Sequence, residues 1–216
     1  MRCTWKSRPK LTAIVLFLAV GLAAGAYYFW WFRPAQPGAP PGADPHETFM
    51  EALAVYREVI GANDPDRVRD IPDYPILHPV VGEAIRMREN AAHFFAETRG
   101  RAVTGVSSRG NVYAALQSPR DGDTAGNPII LDIWHNSNHY TRAMIRIVDA
   151  RGDTVAETWL PEVSHWNILL HRHEHRIAYP LPATREGYVH VYAHGIFDGE
   201  GTELLFRVPV VFAEHR

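Results

Sequence analysis

One stretch dominates what this chain can become. Leu11 to Phe32, LTAIVLFLAVGLAAGAYYFWWF, holds 22 residues without a charged side chain. As a helix it would extend about 33 Å, enough to cross a hydrocarbon core of about 30 Å. A bilayer offers the backbone no water, and a helix satisfies its own hydrogen bonds within one segment. The run therefore predicts a single transmembrane helix. It leaves residues 1–10 as a basic tail and everything after Phe32 as a polar domain on the far side.

Charge orients the helix. Arg2, Lys6, Arg8 and Lys10 precede it with no acidic residue among them, which keeps the tail in the cytoplasm under the positive-inside rule. The C-terminal part then faces outward. The absence of Asn-x-Ser/Thr sequons there and of lysine after Lys10 points to the periplasm of a bacterial inner membrane. Ala24-Gly25-Ala26 also fits a signal-peptidase site, but the apolar run continues past it, longer than a signal h-region of about 7–15 residues. Tyr27, Tyr28, Trp30 and Trp31 on one side and Trp5 on the other suit the membrane–water interface. Gly21, Ala24 and Gly25 supply small residues for close packing against a neighbouring helix.

Composition narrows the rest. The four basic residues of the first 32 leave 18 of the 22 to residues 33–216, against all 24 acidic ones, a net charge of -6. Such a domain has no overall electrostatic footprint for nucleic acid. The one cysteine, Cys3, lies in the tail, so the outer domain has no disulfide, c-type haem or Fe–S cluster and holds together by burial alone. Residues 33–45 (RPAQPGAPPGADP) form a Pro/Gly/Ala linker without a packing face.

Residues 46–100 predict two helices. Asp44, Pro45 and Glu47 form a start signal. Phe49, Leu53, Tyr56 and Ile60 then recur at helical spacing up to a stop at Gly61. A second helix is expected from about Val80 to Thr98, ended by Gly100. From Arg101 to Arg216 the period becomes two. Expected strands are 102–107, 111–117, 129–136, 142–149, 154–160, 164–172, 188–197 and 203–212, separated by turns such as Arg151-Gly152-Asp153. Eight short strands without intervening helices predict an antiparallel β-sandwich, so the outer domain as a whole is α+β. Ile129 to Trp134 followed by Ala143 to Asp149 resembles the paired central strands of an immunoglobulin- or fibronectin-like sandwich, although the Cys…Trp…Cys signature is missing.

Histidine is the main chemical signal. His171, His173 and His175 alternate along one expected strand, and His190 and His194 flank Tyr192 along another. Alternation puts each group on one face of its strand. If Leu181 to Gly187 joined the two strands in a hairpin, the imidazoles would meet and suit copper or zinc, with His135 and His139 as further donors. A competing expectation comes from Val189, Val191 and Ala193, which should pack inward and leave His190 and His194 on a wet or partner-facing surface. Ser107, Ser108, Ser137 and Ser164 lack a nucleophile-elbow context, and Trp134, Trp159 and Trp166 read as core or interface anchors.

These features point to a non-catalytic, single-pass accessory subunit of a larger bacterial membrane complex, energy-transducing in kind. Its partners would be the bilayer and integral membrane proteins, and it would need no cofactor. The alternative is a periplasmic copper or zinc chaperone or sensor built on the histidine strands.

Overall fold

The computed structural model describes residues 42–138, 140–163, 168–195 and 201–214. The apolar run Leu11–Phe32 lies outside them, as do Trp5, the aromatic cluster and the small-residue patch. Among the described residues no helix is long and apolar enough to cross a membrane.

Helix α1 spans Pro45–Ala62. It starts as its sequence predicts: the Asp44 carboxylate accepts from the backbone N–H groups of His46 and Glu47, and Pro45 occupies the first turn. It ends two residues later than expected. Asn63, at φ 52°, makes the left-handed cap, and its side-chain amide donates to the carbonyls of Gly100 and Ala102 at 3.1 Å each. Gly61 serves packing instead, since a Cβ there would stand 2.9 Å from Val106 Cγ2.

A 3-10 helix, Pro65–Asp70, and a short hairpin, β1 (Ile76–Leu77) with β2 (Ala84–Ile85), follow. The hairpin occupies residues expected to begin the second helix. Gly82 has φ +70°, its N–H donates to the His78 carbonyl, and the His78 N–H donates to the Glu83 carbonyl, so the chain turns back here. Helix α2 therefore covers only Met87–Thr98 and stops through Arg99 and Gly100, both at positive φ.

The rest is mostly β, in two facing sheets. Strands β3 (Val103–Val106), β4 (Tyr113–Ser118), β6 (Ile129–His135) and β9 (His171–Ile177) form an antiparallel sheet in the order β3-β4-β6-β9. Strands β5 (Asp123–Ala125), β7 (Thr141–Asp149), β8 (Thr154–Trp159), β10 (Glu186–Gly195) and β11 (Thr202–Phe212) form the second, ordered β5-β11-β10-β7-β8. Among the described residues the sandwich departs from a purely antiparallel one in a single pairing, the parallel β5–β11 contact over Val210–Phe212.

Apolar alternation sets the layers. Leu131 and Ile133 of β6 face Ile145 and Ile147 of β7, Val189 and Val191 of β10 and Val208 of β11 across the inner core. The opposite face of β4 and β6 presents Tyr113, Ala115 and Trp134, and α1 and α2 cover it with Tyr56, Ile60, Phe94 and Ala91. Both of these helices thus lie on the four-stranded sheet.

β6 and β7 are not hydrogen-bonded neighbours, contrary to expectation. They are central strands of opposite sheets, and the corner between them is a buried polar knot. Asn136 Oδ1 accepts from the Tyr113 N–H at 2.9 Å, Asn136 Nδ2 donates to the Asn111 carbonyl, and Ser137 Oγ accepts from the Ala143 N–H. Those bonds satisfy backbone groups that a buried crossing would otherwise strand.

Candidate functional site

The structure separates the two histidine groups. β9 pairs with β6 in the four-stranded sheet, whereas β10 lies between β7 and β11 in the other. The hairpin that would have joined His171, His173 and His175 to His190 and His194 therefore does not form. Among the described residues no three His, Cys, Asp or Glu side chains gather into a metal-binding group. His139 lies outside the described residues.

The first group faces inward. Register sets His171, His173 and His175 beside His135, Ile133 and Leu131 of β6, whose side chains line the inter-sheet core. These three histidines are half-buried at the sandwich rim, and His175 Nε2 is 3.5 Å from Thr158 Oγ1 of β8, the edge strand of the opposite sheet. His135 is fully buried, and its ring centre is 4.8 Å from that of His173. Its Nδ1 accepts from the Ser137 N–H at 3.2 Å, which leaves the proton on Nε2. That nitrogen is a donor without a hydrogen-bond partner, not a lone pair available to a metal. Burial first, and the neighbouring imidazoles second, hold the His135 pKa down at about 3. Burial lowers His171, His173 and His175 as well.

The second group faces out. Val189, Val191 and Ala193 are buried, so Tyr188, His190, Tyr192 and His194 project from the outer face of the five-stranded sheet. Register places His190 opposite both Arg146 of β7 and Arg207 of β11, and Tyr192 opposite Met144. Cations stack on rings across this face. Arg146 lies 5.0 Å from the Tyr192 ring centre, Arg207 5.2 Å from Tyr188 and Arg142 5.8 Å from Trp159. Trp159 and Leu204 are 39% and 45% exposed. Arg146 is paired with Glu157 at 2.7 Å and Arg142 with Glu162 at 3.6 Å. Burial lowers the His190 pKa, and the adjacent Arg207 and Arg146 lower it further. The face is thus a continuous aromatic and guanidinium surface, the side-chain types enriched where proteins meet.

The serines have structural tasks. Ser107 Oγ bridges the Asn111 side chain and the Val112 N–H, and Ser108 donates from its N–H and hydroxyl to the Glu203 carboxylate. These groups border a cleft of about 390 Å³ beside the start of β11. Trp134 is core beneath α2, 5.5 Å from Phe94 by ring centres, whereas Trp159 is on the open face. Ser164 and Trp166 lie outside the described residues.

No family model matches the chain, and no curated protein matches it. Among solved structures it is similar to an engineered protein, with 14% identity over 48% of this chain and 20% of that one, at a TM-score of 0.32. It is also similar to the β-glucuronidase of Parabacteroides merdae, with 8% identity over 51% of this chain and 12% of that one, at a TM-score of 0.24. The chain thus spans a fifth or less of either structure's length.

Proposed function

We propose that this protein is a non-catalytic, single-pass accessory subunit of a bacterial membrane complex, anchored through Leu11–Phe32 with its sandwich in the periplasm. The observation that carries the reading is the asymmetry of the sandwich. The helices cover the four-stranded sheet, while the five-stranded sheet presents Tyr188, Tyr192, Trp159 and three arginines outward. Large rings and guanidinium groups bury much surface with little loss of side-chain freedom, which suits a docking face. The apolar N-terminal run supports a partner in the bilayer, because its small residues permit close helix contact.

In this reading the sandwich is of the immunoglobulin-like kind. The facing of β4-β6-β9 by β8-β7-β10-β11 supports it, because the chain crosses between the sheets from β6 to β7, from β8 to β9 and from β9 to β10, while β3–β4, β7–β8 and β10–β11 pair directly. Copper or zinc chaperoning finds no comparable support, since His135 presents a donor and the two histidine strands lie in different sheets.

The test is purification from native membranes in mild detergent. The reading predicts stable co-purification with integral membrane proteins. Migration as a lone monomer would reject it.

A further inference from the structure

The outer face carries an unbalanced row of charge. Across the sheet, register aligns Glu157 of β8, Arg146 of β7, His190 of β10 and Arg207 of β11. The first cation is answered, since Glu157 accepts from Arg146 Nε at 2.8 Å. The second is not. Arg207 is exposed and makes no ion pair among the described residues, and its guanidinium stacks only on Tyr188. Among the described residues no strand pairs with β11 at Arg207 on the side away from β10, because β5 meets β11 only at Val210–Phe212. Between the two arginines His190 holds its Nδ1 3.1 Å from the Tyr192 hydroxyl, and its Nε2 is shut off from solvent without a partner.

Like charges two strand spacings apart, about 10 Å, repel each other and oppose protonation of the imidazole between them. An anion laid over the row would reverse that balance. Residues 33–216 carry a net charge of -6, so a cationic row on this face departs from the domain's average. We propose that Arg207, stacked on Tyr188 at the end of this row, is the receptor for a side-chain carboxylate of an acidic extracytoplasmic segment of the membrane partner, with His190 and the already paired Arg146 as its neighbours. The proposal rests on the docking role given above and identifies the chemistry of the partner at that face. The carboxylate would take at Arg207 the place that Glu157 takes at Arg146, a planar acid on a planar guanidinium. Tyr188 holds that guanidinium in orientation beforehand, which reduces the freedom lost on binding.

The test uses the full chain in zwitterionic-lipid nanodiscs titrated with a fluorescein-labelled hexaglutamate peptide, with hexaglutamine as the uncharged comparison. Saturable binding of hexaglutamate alone is expected, weakened about tenfold or more by Arg207→Gln, as fits loss of a charge-assisted bidentate pair. Arg176→Gln, on β9 in the opposite sheet, should leave it unchanged. Absence of saturable binding, or equal binding by the two variants, would overturn the proposal. So would an Arg207 effect seen only on binding to phosphatidylglycerol vesicles, which would assign the row to lipid. Membrane proteins that co-purify with a chain that ignores hexaglutamate would leave the docking role standing and this receptor refuted. Hexaglutamate binding by a chain that purifies alone would do the reverse.

Discussion

The imidazole of His135 lies 4.8 Å, centre to centre, from that of His173, on the inner side of a strand pair where the sandwich would otherwise be aliphatic. Four histidines thus share one rim, and all are held below the ordinary imidazole pKa by burial. The folded domain binds fewer protons there than the unfolded chain between about pH 6.5, the ordinary value, and about pH 3, that of His135. Stability is therefore fully present above pH 6.5 and declines as pH falls through this window. For each proton taken up only by the unfolded chain the slope is about 1.4 kcal/mol per pH unit. His135→Asn keeps an acceptor for the Ser137 N–H but cannot titrate. Denaturant midpoints measured from pH 7.5 to 4 should fall less steeply in this variant than in the parent, and identical slopes would show that His135 is not the sensing group.

Tyr56 joins three segments. Its hydroxyl donates to Asn90 Oδ1 at 2.5 Å and accepts from the Leu170 N–H at 3.2 Å, and Asn90 Nδ2 donates to the Leu170 carbonyl. Burial holds this hydroxyl protonated, so its donor role persists at any ordinary pH. Tyr56→Phe would leave a buried N–H and a part-buried amide oxygen short of a partner, a loss of about 1–3 kcal/mol. Equilibrium unfolding should show a lower midpoint with an unchanged m value. A midpoint equal to the parent's would mean that the bonds contribute nothing net.

Gly187 allows β10 to pass beneath Phe212. A Cβ there would overlap the Val148 carbonyl oxygen and stand 2.5 Å from the Phe212 ring. Backbone on one side and a buried ring on the other leave no easy relief, so Gly187→Ala should destabilise the domain by about 1–3 kcal/mol. Gly201→Ala, where a Cβ meets nothing within 4 Å, should change stability by less than about 0.5 kcal/mol. Thermal unfolding of the two variants side by side checks the contrast.

Sequence patterns foretold some of this arrangement and not the rest, for identifiable reasons. Val189, Val191 and Ala193 against Tyr188, His190, Tyr192 and His194 is an unbroken two-residue period, so the outward face of β10 was legible. β9 was not, because its inward positions at the rim are histidines and carry no apolar signal. Its strand runs from His171 to Ile177, later than the 164–172 expected. β5, three residues long and paired in parallel with a distant strand, leaves no local trace. The role of Arg207 is illegible in sequence for a related reason. Its place beside His190 depends on cross-strand register, and a bulge near Val191 and Tyr192 shifts that register within β11. Gly61 looked like a helix stop because a glycine needed for close packing cannot be told in sequence from one needed for its backbone freedom.

Docking of the outer face of the five-stranded sheet onto a membrane partner can be measured directly. A photo-crosslinking residue, p-benzoylphenylalanine, would replace Leu204 on that face or Ile130 on the outer face of the other sheet, positions of matched exposure at 45% and 47%. After irradiation of native membranes, an adduct is expected between an integral membrane protein and the Leu204 variant, with none from Ile130. An adduct from Ile130 alone, or none from Leu204, would contradict it.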